Sequence, residues 1–192
     1  MVRLMIGWNH AWDYERFNNN PSSRKHTDHI NREPTKAPFS IRERNKMSFS
    51  IYVDGAAPNN QHGCTQGGIG IAAFNEHGEL EYHDSITIRR STTNAELELM
   101  ALIEGLEYAQ DGDVIYSDSD FCVKGYNGWL DNWKDKGWRK SDKKPVKNRH
   151  LWQQIDELRS QKYVEVFKVK AHSGDKGNDM ADLLAVEAAE AE

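Results

Sequence analysis

TTNAELELMALIEGLEYAQDGDVIYSDS, residues 92–119, decides the fold of this 192-residue chain. In its first part apolar residues recur at broadly helical spacing and Thr93 stands where it can cap the first turn, which predicts a helix that ends near Asp111 and Gly112. The run DVIYSDS follows at once and has the composition of a buried strand. A helix that leads directly into such a strand predicts a crossover between parallel strands, and hence a mixed α/β fold.

Strand patterns lie upstream of this helix, and further helices and one strand lie downstream. The alternating run SFSIYVDG (48–55) predicts a strand that ends at Asp54 and a glycine. GGIGIAAFN (67–75) and LEYHDSITI (80–88), with the turn residues NEHGE between them, extend it to a three-stranded antiparallel meander. Downstream the sequence predicts a broken helix, a clearer helix, a last strand and a terminal helix, in the runs FCVKGYNGWLDNW (121–133), VKNRHLWQQIDELRSQ (146–161), YVEVFKVKA (163–171) and DKGNDMADLLAVEAAEAE (175–192).

Composition divides the chain into an N-terminal extension, residues 1–46, and a folded domain, residues 47–192. The extension is rich in Asn, Arg, His and Pro, and breaks such as NNNPSS interrupt any periodicity, so we expect irregular or disordered structure there. It carries nine Lys/Arg and five Asp/Glu, whereas the whole chain has a formal net charge of −5, so the acidity belongs to the folded domain. Met47 is an alternative start for the protein.

Cysteine use and hydropathy exclude several classes of protein. Cys64 and Cys122 lack the paired spacing of a zinc site or a disulfide framework, which favours a reducing compartment. No apolar run approaches the roughly 20 residues of a membrane span, and the charged start MVRLMIGWNHAWDYER is unlike a signal peptide. We therefore expect a soluble, cytoplasmic protein that is monomeric by default and has no stable protein partner.

Four acidic residues lie where metal-dependent chemistry would need them. Asp54 and Asp118 end the first and fourth predicted strands, Glu98 lies in the helix between them, and Asp182 lies on the terminal helix. Ligands of open α/β sheets bind at strand ends beside a change in strand order. Each residue taken alone is more simply a surface or capping group. Together they could hold two Mg²⁺ ions, because hard cations prefer carboxylate oxygen and clustered carboxylates repel one another without a cation.

A basic segment, residues 129–150, interrupts the acidic domain. It contains eight Lys/Arg and three Asp, a local surplus of five positive charges. Three tryptophans alternate with these cations, an arrangement in which cations can meet nucleic-acid phosphates while rings pack on sugars or bases. The alternative is that one or two of these rings simply pack a helix against the core.

Five segments follow one another along the chain: IYVDGA (51–56), TTNAELELMA (92–101), IYSDSDFCVKGYNGWL (115–130), NWKDKGWRKSDKKPVKN (132–148) and KVKAHSGDKGNDMADLLA (168–185). In this order they closely resemble the bacterial type 1 ribonuclease H family, over residues 48 to about 187. The resemblance implies a ribonuclease H-like α/β fold, with a five-stranded mixed sheet of order 3-2-1-4-5, strands 1–3 antiparallel, and helices on both faces. It also implies an endonuclease that hydrolyses the RNA strand of RNA–DNA hybrids and leaves 5′-phosphate and 3′-hydroxyl ends.

The resemblance assigns the catalytic carboxylates, which would bind two Mg²⁺ ions, or Mn²⁺ in their place, as Asp54, Glu98, Asp118 and Asp182. It selects Glu98 over Glu96, because the family's glutamate stands immediately before the Leu-Met-Ala stretch. It selects Asp118 over Asp120, because the family pattern is an acidic residue followed by Ser. His172, in the loop before the last helix, is similar to the family's mobile histidine, which assists proton transfer or product release.

The same resemblance implies residues that contact the hybrid. Thr93 and Asn132 would hold a DNA phosphate and Asn94 would reach the minor groove, although Thr93 is also a plausible helix cap. Ala95 stands where the family has a second Asn, so one polar contact is missing. Asn178 follows His172 at a family-like spacing. The basic segment would grip the DNA strand through Trp129, Trp133, Lys134, Lys136 and Trp138.

Two other functions are open at this point. Another nuclease of the same superfamily would share the metal chemistry but not the substrate, and the basic, Trp-rich segment disfavours it. A catalytically inactive hybrid-binding module would have lost a carboxylate, whereas all four carboxylates and His172 are present.

Overall fold

The computed structural model describes residues 48–58 and 65–191, so the predicted extension 1–46 and Cys64 lie outside the described residues. Within them the elements follow the predicted order. Their bounds are β1 (Ser50–Ala56), β2 (Gly67–Phe74), β3 (Leu80–Ile88), α1 (Asn94–Tyr108), β4 (Val114–Ser117), α2 (Asp120–Lys124), a π-helical turn (Gly125–Trp129), α3 (Leu130–Asp135), α4 (Arg149–Gln161), β5 (Glu165–Lys168) and α5 (Lys176–Glu190).

Several predicted element ends were wrong by a few residues, and the structure gives a reason for three of them. β1 continues past Asp54, because Gly55 and Ala56 still pair with β2. α1 stops at Tyr108 rather than near Asp111, because the next residue, Ala109, adopts an extended conformation with φ −63° and ψ 152°. The last strand ends at Lys168 because the pairing of β5 with β4 stops at the end of β4.

The described strands form one sheet in the order β3-β2-β1-β4-β5, which confirms the predicted topology. β1 and β3 each pair antiparallel with β2, whereas β4 pairs parallel with both β1 and β5. The parallel pairing of β1 with β4 brings their carboxyl ends side by side at the change in strand order. This edge of the sheet is where ligands of open α/β folds bind.

Helices cover both faces of the sheet. α1 packs on β1 and β2 and against α4, while α5 packs on β2, β1 and β3. α5 lies directly on β2: a Cβ added to Gly68 or Gly70 would stand 2.0 Å from a main-chain oxygen of this helix. Because α5 carries Asp182, this close contact also fixes the height of that carboxylate above the sheet.

The start of α1 has the cap that the sequence predicts. The Thr93 side chain accepts a hydrogen bond from the Glu96 N–H, and the Glu96 carboxylate accepts one from the Thr93 N–H, which together form a capping box. The buried side of α1, which includes Leu97, Met100 and Ile103, joins the main hydrophobic core. The start of α1 lies directly beside the end of β1, since a Cβ added to Gly55 would stand 2.5 Å from the main-chain carbon of Leu97.

The predicted broken helix is two short helices joined by the π-helical turn. The Leu130 N–H donates to the Gly125 carbonyl, which is the i to i+5 spacing of a π-helix. Gly125 is required because a Cβ there would lie 2.0 Å from the ring of Trp152, a fully buried core residue.

The helices within residues 48–58 and 65–191 are too short or too polar for any of them to span a lipid bilayer.

Candidate active site

Four acidic side chains, here called the carboxylate cluster, come from four elements: Asp54 of β1, Glu98 of α1, Asp118 after β4 and Asp182 of α5. Tyr52 of β1 pairs with Tyr116 of β4, so Asp54 and Asp118, each two residues further along, lie next to each other. The negative charges of Asp118, Asp182 and Glu98 all act on the carboxyl of Asp54. The structure therefore brings together the four acidic residues that the sequence singled out.

Glu98 is held by a hydrogen bond to each of its carboxylate oxygens. Asn94, one turn earlier on α1, donates from Nδ2 to Oε1 at 2.7 Å. The Ser119 hydroxyl, which follows β4, donates to Oε2 at 2.7 Å. Ser119 also caps α2 by accepting from the Cys122 N–H. Glu98 is therefore fixed between the start of α1 and the end of β4.

His172 stands beside the fourth carboxylate, in the loop between β5 and α5. Its Nδ1 lies 4.0 Å from Oδ2 of Asp182, and its side chain is 81% exposed. Its backbone is left-handed, with φ 49°, and Gly174 nearby has φ 81°. An exposed imidazole at the edge of an acidic cluster can exchange protons with solvent, which fits the predicted role in proton transfer.

The cluster carries more negative charge than its surroundings offset. Burial raises the pKa of Asp54 to about 7, and the charges of Asp118, Asp182 and Glu98 act in the same direction, against a hydrogen bond from the Gly55 N–H. Burial also raises the pKa of Glu98, although the hydrogen bonds from Ser119 and Asn94 oppose this. In the absence of a cation, ionising the whole cluster is unfavourable.

This charge fits a hard divalent cation. No three His, Cys, Asp or Glu side chains within residues 48–58 and 65–191 form a ready-made metal cage. Mg²⁺ rarely needs one, because it keeps several waters and is typically bound by one or two carboxylates together with substrate phosphates. An open cluster of uncompensated carboxylates is therefore the donor set that Mg²⁺ or Mn²⁺ would take.

Metal-free protein should lose stability as the pH rises towards 7. Because the folded-state pKa of Asp54 is about 7, above its ordinary value of 3.8, the folded state keeps a proton that the unfolded chain releases between these values. Between pH 5 and pH 8 the free energy of unfolding in EDTA should fall by on the order of 3 kcal/mol. Urea titrations at pH 5 and pH 8 would measure it.

Asp54→Asn is the matched control for this pH effect, since it removes the titrating group without changing its shape. Its stability should fall much less over the same range, and Mg²⁺ should raise the stability of the wild-type protein most at pH 8. If the stability of both proteins depended equally on pH, Asp54 would not be the group whose ionisation destabilises the metal-free protein.

Comparison with known proteins identifies the family to which this chain belongs. The family model for RNase H matches residues 46–190. The chain belongs to the ribonuclease H family. It is 42% identical over 139 residues to a ribonuclease H of Ruthia magnifica subsp. Calyptogena magnifica, covering 70% of this chain and 90% of that protein. It is 41% identical over 147 residues to the ribonuclease H of Bordetella bronchiseptica, covering 76% of this chain and 91% of that protein.

Solved structures of the ribonuclease H family share the fold. LC9-RNase H1, described as a type 1 RNase H with the type 2 active-site motif, superposes with a TM-score of 0.63 at 25% identity, over 74% of this chain and 72% of that one. The predicted family and sheet topology are thereby confirmed. This chain is a hydrolase of the ribonuclease H type.

Glu96 and Asp120, the two acidic residues that the family resemblance did not select, have other roles in the structure. Glu96 belongs to the capping box of α1 and lies 3.5 Å from Arg90. Asp120 is exposed and pairs with Lys124 at 2.7 Å, which lowers its pKa. Both are thus occupied outside the carboxylate cluster.

The rings of all three tryptophans of the basic segment pack on neighbours, and Trp129 is the most exposed of them. Trp129 is 38% exposed. Trp133 packs edge-on against the buried Trp152, with ring centroids 5.3 Å apart, and Trp138 also packs against the core. The alternative interpretation, that one or two of these rings serve packing, is confirmed for Trp133 and Trp138.

The remaining predicted substrate contacts stay predictions, and the structure gives each a location. Lys136 and Asn132 are exposed, and Lys134 forms an ion pair with Asp156 at 2.8 Å. Thr93 and Asn94 are already engaged as the α1 cap and as a donor to Glu98. Asn178 is 2% exposed, so contact with a hybrid would require the first turn of α5 to move.

Sequence reasoning missed two residues beside the cluster, Ser119 and Lys168. Ser119 was visible only as part of the SDS motif, yet its hydroxyl orients Glu98. Lys168 ends β5, and its Nζ donates to the main-chain carbonyl of Asp118. One lysine among many gives no signal in the sequence, because its importance depends on which strand lies next to β4.

Proposed function

We propose that this chain cuts the RNA strand of RNA–DNA hybrids at the carboxylate cluster. The observation that carries the proposal is the convergence of Asp54, Glu98, Asp118 and Asp182, from four elements, at the edge where β1 and β4 end. Membership of the ribonuclease H family supports the substrate and the reaction. The product ends would be 5′-phosphate and 3′-hydroxyl.

Each group in the site has a task in such a reaction. Two Mg²⁺ ions bound by the cluster would supply an activated water and stabilise the leaving 3′ oxygen. Asp54 and Asp118 would hold them from the sheet, Glu98 from α1 and Asp182 from α5. The hydrogen bonds of Asn94 and Ser119 keep Glu98 in place for this task. His172, exposed beside Asp182, would assist proton transfer or release of the cut strand.

Selection of a hybrid over other duplexes would depend on contacts with sugar and phosphate. The 2′-hydroxyl distinguishes RNA from DNA at the cut strand. Trp129, Asn132 and Lys136 are exposed on the basic segment, where they can contact the DNA strand. Such contacts position a duplex without identifying its bases, so cleavage should depend little on sequence.

A panel of end-labelled duplexes tests this proposal. The protein is incubated with an RNA–DNA hybrid, double-stranded RNA and double-stranded DNA of one sequence, each with Mg²⁺ or with EDTA. We expect cleavage of the hybrid's RNA strand alone, and none in EDTA. Hybrid binding without cleavage would indicate an inactive binding module, and cleavage of DNA would indicate a different nuclease.

Trp129→Ala should weaken binding of the hybrid without slowing the chemical step. Stacking on an exposed ring is worth about 1–3 kcal/mol, so we expect KM to rise roughly tenfold while kcat changes little. Tyr163→Ala is the matched control, because Tyr163 is an exposed aromatic residue, 68% exposed, that follows α4 and is not part of the basic segment. Steady-state kinetics on a short hybrid measure both, and an unchanged KM in Trp129→Ala would contradict the assignment.

We also propose that the protein acts in the cytoplasm as a monomer with Mg²⁺ as its usual metal. The cysteine pattern supports a reducing compartment, and Cys122 is a buried free thiol.

A further inference from the structure

Lys168 is the last residue of β5 and lies beside the residue that precedes Asp118. The register pairs Lys168 with Ser117 of β4. Its Nζ donates a hydrogen bond to the main-chain carbonyl of Asp118 and lies 3.7 Å from Oδ1 of Asp120. A flexible lysine side chain is thereby held in one place, with its charge next to a member of the carboxylate cluster.

Its contact with Asp120 accounts for only part of the position of this charge. Asp120 already has a closer partner, Lys124, at 2.7 Å, and its side chain is 62% exposed, so a second surface ion pair would add little. By contrast, the positive charge of Lys168 also acts on Glu98, in the direction that favours its ionised form. Lys168 thus contacts the cluster through the main-chain carbonyl of Asp118, and its charge acts on the Glu98 carboxylate.

We propose that Lys168 is a built-in counter-charge of the metal site. In the metal-free protein its ammonium group, fixed by the Asp118 carbonyl, offsets part of the repulsion among the four carboxylates. The same fixed charge repels a divalent cation, so Lys168 lowers the affinity of the site for Mg²⁺ and raises the Mg²⁺ concentration at which the site fills. This inference rests on the proposed function, because it takes the carboxylate cluster as the metal site.

Three substitutions at this position separate charge from hydrogen bonding. Lys168→Met removes both, Lys168→Gln removes the charge but keeps a donor, and Lys168→Arg keeps both. We expect the Met and Gln variants to bind Mg²⁺ about fivefold more tightly, because a nearby unit charge no longer repels the divalent ion, and the Arg variant to resemble wild type. At high salt the difference should shrink, because screening weakens charge interactions across a partly exposed site.

Calorimetric titration of Mg²⁺ into the free protein, without substrate, measures these affinities. Lys124→Met is the matched control, since it removes the other lysine that pairs with Asp120 and leaves the Asp118 hydrogen bond in place. It should bind Mg²⁺ like wild type. Circular dichroism and the unfolding temperature in EDTA confirm that each variant is folded, and the Met and Gln variants should unfold at a lower temperature than wild type.

Two results would overturn the inference: Lys168→Met with unchanged or weaker Mg²⁺ affinity, or Lys168→Gln indistinguishable from wild type. Asp54→Asn, titrated alongside, separates this failure from failure of the proposed function. If Asp54→Asn binds Mg²⁺ as wild type does, the cluster is not the metal site. If only Asp54→Asn changes the affinity, the metal site stands and the role of Lys168 is rejected.

Discussion

Asp54→Asn should abolish cleavage of the RNA strand, with a loss in kcat of about a thousandfold or more, because the proposed metal site would lose one of the carboxylates that hold the ions which activate the attacking water. The amide has nearly the same shape as the carboxylate, and its oxygen can still accept a hydrogen bond from the Gly55 N–H. The metal-free variant should also be more stable than wild type above pH 7, because one of four mutually repelling charges is gone. Gain of stability together with loss of activity would show that the cluster serves function rather than folding.

Asp120→Asn is the matched control for this variant. Asp120 is acidic, lies two residues after Asp118 and is exposed, with Lys124 as its close partner. Its substitution should leave kcat within about twofold of wild type, since an exposed ion pair contributes little. An active Asp54→Asn, or an Asp120→Asn as inactive as Asp54→Asn, would contradict the assignment of the cluster.

Gly70→Ala should destabilise the protein by about 3 kcal/mol or more, because overpacking a rigid interface forces the backbone apart. The added Cβ would lie 2.0 Å from the main-chain oxygen of Ala181 and 2.7 Å from the nitrogen of Ala185, and neither atom can move without moving α5. Asp182 lies on the same helix, so the remaining folded protein should also show lower kcat. Urea unfolding and steady-state kinetics measure the two effects.

Gly128→Ala is the matched control, because nothing lies within 4 Å of a Cβ at that position. It should leave stability within about 0.5 kcal/mol of wild type. A Gly70→Ala protein as stable as wild type would mean that α5 is not seated on β2 as closely as the structure has it.

The strands, the meander and the parallel crossover could be predicted because they depend on local patterns, whereas the strand order 3-2-1-4-5 was implied by the family resemblance. The alternation in IYVDGA and the apolar run DVIYS mark strands, and Thr93 with Glu96 marks the start of α1. The family resemblance then placed all four carboxylates, and the structure brings them together at one edge. The strands and the helix start are each marked by a short stretch of sequence, and the carboxylates by the family motifs.

Features that depend on contacts between distant residues could not be predicted. The π-helical turn at Gly125 forms where the ring of Trp152, 27 positions later, excludes a side chain. Trp129, Trp133 and Trp138 look alike in the sequence, but only the structure shows which of them packs on Trp152. Lys168 gains its position from the pairing of β5 with β4. Such roles follow from tertiary packing and leave no local pattern.

The measurement that tests the central claim most directly is the chemical identity of the RNA ends after cleavage of a labelled hybrid in Mg²⁺. Attack by a water held at the carboxylate cluster should give fragments with 5′-phosphate and 3′-hydroxyl ends, and no fragments should form in EDTA. Fragments with 2′,3′-cyclic phosphate ends, or cleavage that persists in EDTA, would show that the 2′-hydroxyl or another group is the nucleophile and would contradict a metal-dependent site at Asp54, Glu98, Asp118 and Asp182.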